Sequence, residues 1–152
     1  MQTALKPIFQ SLGQLFQSCD QDYVLLKDQA LSAEWLNDYP NQRIVNSFLF
    51  NYIKIQDKLG ASLLRKLLYT LREINTENLP MLDILHLLEK LEIIDSTDTW
   101  DRLREIRNVI AHEYPTEIEE RLENIALALR GYAQLKVIYA NLYRYAAARG
   151  VI

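Results

Sequence analysis

Arg107-Asn108-Val109-Ile110-Ala111-His112-Glu113-Tyr114, followed by Pro115, gathers a guanidinium, a carboxamide, an imidazole and a phenol within eight residues. An imidazole with the ordinary histidine range near ~6.5 both accepts and gives protons at neutral pH. Arginine adds a permanently charged planar fork that matches phosphate oxygens. Together these groups suit cleavage of a phosphodiester in RNA, where the 2′-OH loses a proton as it attacks and the 5′-oxygen gains one. Arg107 would stabilise the charge that builds on the phosphate, His112 would move protons, and Asn108 would orient either. Such a scheme calls for no metal and no cofactor. His86 and His112 are far apart, and neither an HExxH nor a CxxC pattern occurs.

Helical geometry constrains how these residues meet. Arg104, Asn108 and His112 are four apart and share one stripe. Arg107 precedes His112 by five positions, about 140° around an ideal helix. Either the helix unwinds at His112, or two copies of it line one cleft in a homodimer. Pro115 supports the first by pushing Tyr114 out of the α region, which leaves Glu113 and Tyr114 in a turn.

Each residue also has a plainer explanation. Arg107 pairs with Glu105, Glu113 or a carboxylate at the core edge; Asn108 caps a backbone; His112 answers the helix dipole; Tyr114 is one aromatic among 9 tyrosines. A bare Arg-x4-His arises often by chance, and the added Asn, Tyr and helix-end context sharpen it. Asp57 lies in a mostly apolar helical stretch and needs a partner. Its neighbours favour an ion pair with Arg43, Lys54 or Lys58 over a role orienting His112 or Arg107. Arg102 and Arg104 extend a possible RNA-binding surface, or are ordinary surface charges. His86 reads as structural or exposed. Tyr132, Tyr139 and Tyr143 are packing residues first, and only secondarily platforms for unpaired bases beside Arg144.

The positioning elements read as helices throughout. Apolar residues predict helices over about Leu5–Gln17 and Asp20–Leu36, with Pro40 as a stop. A long helix follows from about Gln42 to Glu73, in which Gly60 marks a close crossing or a break. Pro80 opens the next, whose core face is Leu82, Leu85, Leu88 and Leu91, up to about Ile93. Ser96-Thr97-Asp98-Thr99 caps a fifth helix carrying Trp100, Leu103, Ile106 and Ile110 inward, ended by Pro115. Thr116 and Glu119 form a capping-box pattern before a last helix to about Arg149. No segment alternates as a half-buried strand does, so the fold class is all-α.

With 152 residues, 49% hydrophobic and 24% charged, the chain fits one globular domain over 1–152. One cysteine, no signal-like N-terminus and no apolar run near ~20 residues predict a cytoplasmic protein without a membrane span. The net charge is −3, but Asn124 to Ile152 holds Arg130, Lys136, Arg144 and Arg149 with no acid, leaving −7 for the rest. That basic segment either holds an anionic partner or is a solvated helix face.

The octapeptide resembles the signature of HEPN domains, and Arg-x4-His-x-Tyr resembles its form in HepT-like toxins. Similarity extends over roughly Arg43 to Ala126, through Ile55-Gln56-Asp57-Lys58-Leu59-Gly60, Leu82-Asp83-Ile84-Leu85 and Trp100-Asp101-Arg102-Leu103-Arg104-Glu105-Ile106-Arg107-Asn108. The resemblance implies an antiparallel bundle of five to six helices that dimerises through the motif helices. It implies a metal-independent endoribonuclease toxin, with tRNA among its possible RNA substrates, encoded beside an MNT-type nucleotidyltransferase antitoxin. That enzyme neutralises the toxin by adding AMP to the motif tyrosine, by position Tyr114. Some relatives only bind, so the alternative is a non-catalytic partner that docks a nucleotidyltransferase.

Overall fold

Leu5, Phe9, Leu12, Phe16 and Cys19 recur at alternating steps of four and three, and all are buried. In the computed structural model, which describes residues 2–112 and 117–152, they lie on one helix, α1 (Gln2–Leu26). The expected break between Gln17 and Asp20 is absent. The polar residues there occupy the outer face, while Cys19 carries the buried stripe onward to Leu26. Only a short turn, α2 (Ala33–Leu36), stands apart, with Ser32 Oγ accepting from Trp35 N at 3.1 Å. Pro40 does not stop that turn but sits in the first turn of the next helix, where a missing N–H costs nothing.

That helix, α3, runs as Tyr39–Lys58, a π turn Leu59–Leu63, and Leu64–Thr70. Gly60 lies in the π turn, and a Cβ there would stand 3.1 Å from Trp100 Cζ2. The glycine therefore marks a close crossing, and the chain passes it without a break. Next comes α4 (Met81–Lys90), with Pro80 at its N-cap. Its core face is Ile84, Leu85 and Leu88; Leu82 is exposed. A strict spacing of three drifts off a helix of 3.6 residues per turn, so Ile84 replaces Leu82 inside. Ser96 caps α5 (Thr97–Ala111), its Oγ accepting from Thr99 N at 3.4 Å. Trp100 and Leu103 are buried, and Ile106 and Ile110 half-buried. The chain closes with α6 (Ile118–Ala148), about 46 Å long at 1.5 Å per residue. Its N-cap is Glu117, which makes no side-chain cap; Thr116 of the expected capping box lies outside the described residues.

Six helices and no strand are thus found among the described residues, and no helix is long and apolar enough to cross a membrane. The core centres on Tyr132 of α6, with the rings of Tyr23, Phe48 and Phe16 at 5.0, 5.5 and 5.9 Å. Its hydroxyl donates to Asp20 Oδ1 at 2.6 Å, beside the Phe16 carbonyl at 3.1 Å. Tyr132 and Tyr139 are packing residues, as expected, whereas Tyr143 is half exposed with its ring 5.6 Å from that of Phe9. Lys136 pairs with the same Asp20 at 3.0 Å, Arg144 bonds Asn141, and Arg149 stacks 3.6 Å from the Tyr145 ring centre. Three of the four basic residues of this segment are therefore engaged within the chain, which favours the solvated-face reading.

Candidate functional site

The decisive side chains come from two crossing helices. Gly60 and Trp100 let α3 and α5 approach closely, and the crossing places Asp57 of α3 beside Arg107 of α5. Arg107 Nε donates to Asp57 Oδ1 and Nη2 to Oδ2, both at 2.8 Å. This parallel fork fixes the plane of the guanidinium. The hydrogen bonds that Arg107 donates to Asp57 hold its pKa above the ordinary value despite partial burial. Asp57 thus pairs with neither Arg43, Lys54 nor Lys58, as its near neighbours had suggested. Its partner lies 50 positions away, and Asp57 is a positioning group for Arg107.

Asn108 is exposed next to this pair. Together with Gln56, Gly60, Trp100, Arg104 and Arg107, it lines an open groove between α3 and α5. Arg104 enters the same groove and also meets Asp101, Nη2 to Oδ1, at 3.4 Å. Arg102 is exposed but does not line the groove.

His112 stands elsewhere. Helix α5 stops at Ala111, and His112 caps it with extended backbone (φ −75°, ψ 168°), its N–H reaching Val109 O at 3.4 Å. The exposed imidazole borders a second depression, lined by Val45, Leu49, Ile110, Arg121 and Asn124. Unwinding at the helix end is therefore real, yet it does not carry the imidazole into the Arg107 groove. Within one subunit, Arg107 with Asn108 and His112 face different hollows. Glu113, Tyr114 and Pro115 lie outside the described residues, so the expected modification site does too. His86 is exposed on α4, as its sequence context suggested.

No protein-family model, curated protein or solved structure matches this chain. The site has to be read from its own chemistry. One member was missed by residue-by-residue reasoning: Gln56, 4% exposed and lining the groove. Its signal was present in the sequence. Phe48, Tyr52, Ile55 and Leu59 set the buried face of α3, and a carboxamide at position 56 sits on that face.

What the arrangement can do chemically is limited and definite. The groove offers a guanidinium of fixed orientation, a second one beside it, and an exposed carboxamide. The fork spends Nε and one Nη2 hydrogen on Asp57. The Nη1 pair remains for an anion. An exposed imidazole stands just beyond the end of the same helix.

Proposed function

We propose that the chain is a HepT-like HEPN toxin, a homodimeric and metal-independent endoribonuclease. One observation carries the reading: Asp57 locks the Arg107 fork at the mouth of a groove shared with Asn108, while His112 waits exposed at the end of the same helix. A locked guanidinium suits a phosphate whose charge grows in the transition state. His112 accepts the 2′-OH proton as that oxygen attacks phosphorus, the P–O5′ bond breaks, and the 5′-oxygen collects a proton from water. Because Arg107 and His112 face different hollows of one subunit, the working site takes its arginine from one copy and its histidine from the other. The outer side of α5, with Asn108, Val109 and His112 exposed, is available for that pairing. The neutralising partner is an MNT-type nucleotidyltransferase that adds AMP to Tyr114, which adds bulk and negative charge to the motif.

The test is direct. Arg107→Ala and His112→Ala are each expected to lower RNA cleavage by about 10²–10⁴-fold, and to relieve growth inhibition, while the dimer persists on sizing. Undiminished cleavage by both variants overturns the mechanism. Co-expression with the partner enzyme should add the mass of AMP at Tyr114; an unmodified tyrosine in a neutralised complex overturns the regulatory half.

The second reading is a non-catalytic module that docks the nucleotidyltransferase. The separation of His112 from Arg107 within one subunit favours it. Harmless expression without the partner, with no RNA cleavage, decides for this alternative.

A further inference from the structure

Gln56 is buried on α3, and its Oε1 has no hydrogen-bond partner among the described residues. A buried amide oxygen without a donor is uncommon, because burial removes the water that would otherwise satisfy it. The side chain nevertheless lines the groove that holds Arg104, Arg107 and Asn108. That groove has a volume of about 490 Å³, within the roughly 300–1,000 Å³ of small-molecule clefts. Its wall includes Gly60 in the π turn of α3, a local distortion frequent at functional sites. Gly60 packs closely against the Trp100 ring, which fixes the floor between the two helices.

We propose that this groove is a nucleobase subsite for an unpaired base bearing an exocyclic amino group. The amino group donates to Gln56 Oε1, and the attached phosphate meets Arg104 and the Nη1 hydrogens of Arg107. The inference deepens the ribonuclease reading and rests on it for the choice of a nucleotide as ligand. Two features of the groove select this chemistry. A recessed acceptor calls for a donor that projects, and an exocyclic amino group projects beyond its ring. The ring N–H of uracil instead lies between two carbonyl oxygens, which would face the same amide oxygen. Two guanidinium groups at the rim supply positive charge for a phosphate, and proteins read unpaired bases by hydrogen bonds at their edges.

Calorimetric titration of the full chain with AMP, CMP, GMP and UMP tests the proposal. None of these probes contains an internucleotide bond, so the readout is independent of cleavage. The expected result is AMP, CMP and GMP each binding at least about tenfold tighter than UMP, the one base of the four without an exocyclic amino group. Gln56→Met should bring AMP down to the UMP level with an unchanged or raised melting temperature, because the thioether removes the unpaired oxygen while keeping the length of the side chain. Arg104→Met should weaken all four nucleotides alike. Equal or undetectable binding of the four overturns the subsite, as does a folded Gln56→Met variant with intact selectivity. Amino-base selectivity in a chain that never cuts RNA supports the subsite and sinks only the nuclease reading. RNA cleavage by a chain that binds all four alike sinks only the subsite.

Discussion

The Asp57–Arg107 pair separates what a residue does for stability from what it does for a site. Asp57 is half exposed and Arg107 about 30% exposed, so water screens much of their attraction. Asp57→Ala should therefore change the urea midpoint by no more than about 1 kcal/mol of stability. On the ribonuclease reading proposed above, its effect on cleavage should be larger, about 10²-fold, because a guanidinium free to rotate would no longer wait where a phosphate would bind. Urea melts and cleavage rates on the same preparation check both halves; cleavage at the wild-type rate would remove Asp57 from the site. The types of the motif residues, and the poor alignment of Arg107 with His112, were legible in the sequence because helical angles follow from spacing alone. The partner of Asp57 was not. Lys54 and Lys58 are its neighbours along one helix, whereas Arg107 arrives from 50 positions away by a crossing that spacing does not encode.

At the scale of elements, Gly131 is where three helices meet. A Cβ there would stand 2.7 Å from the Tyr52 hydroxyl oxygen, 3.1 Å from Ile106 Cδ1 and 3.3 Å from Leu103 Cδ2. Tyr52 is fully buried and cannot swing into solvent. Gly131→Ala should therefore overpack the junction of α3, α5 and α6 and lower stability by about 1–3 kcal/mol, measurable by thermal or chemical denaturation. A variant as stable as wild type would mean that α6 can slide. Helix type was readable from apolar periodicity, including the inward side chains of α5. The separate helix expected over Asp20–Leu36 is absent: its first part belongs to α1, and only Ala33–Leu36 is helical beyond it. Boundaries were less readable. Polar residues near Asp20 looked like a break because periodicity cannot tell an outer face from a turn, and Pro40 looked like a stop although it serves equally well as a start.

For the whole molecule, two consequences follow from what the core encloses. Burial, followed by the nearby Asp22, pushes the Cys19 thiol from 9.0 up to about 12. Burial also raises the phenols of Tyr52, Tyr132 and Tyr139, with the hydrogen bond to Asp20 adding to the effect at Tyr132. The unfolded chain sheds these protons at lower pH than the folded one. Their contribution is therefore fully present below pH 9.0 and is lost as pH rises through about 12. The denaturation midpoint should hold level up to pH 9.0 and fall above it, and native Cys19 should resist a thiol reagent until the chain unfolds. A flat profile to pH 12 would contradict the buried assignments. The second consequence concerns assembly. If each working site takes Arg107 from one copy and His112 from the other, mixed Arg107→Ala and His112→Ala chains form heterodimers with one intact site. Random pairing should then restore roughly a quarter of wild-type cleavage. No restoration after subunit exchange would confine the site to one chain.

The sequence by itself determined an all-helical chain, most of the inward stripes, and a helix end rich in groups suited to phosphate chemistry. These are local properties, set by residue type and the 3.6-residue turn. Tertiary structure alone decided that Asp57 grips Arg107, that Gln56 opens onto their groove, and that His112 faces another hollow. Those relations depend on how closely α3 and α5 cross at Gly60 and Trp100, a distance set by packing between residues remote in the chain.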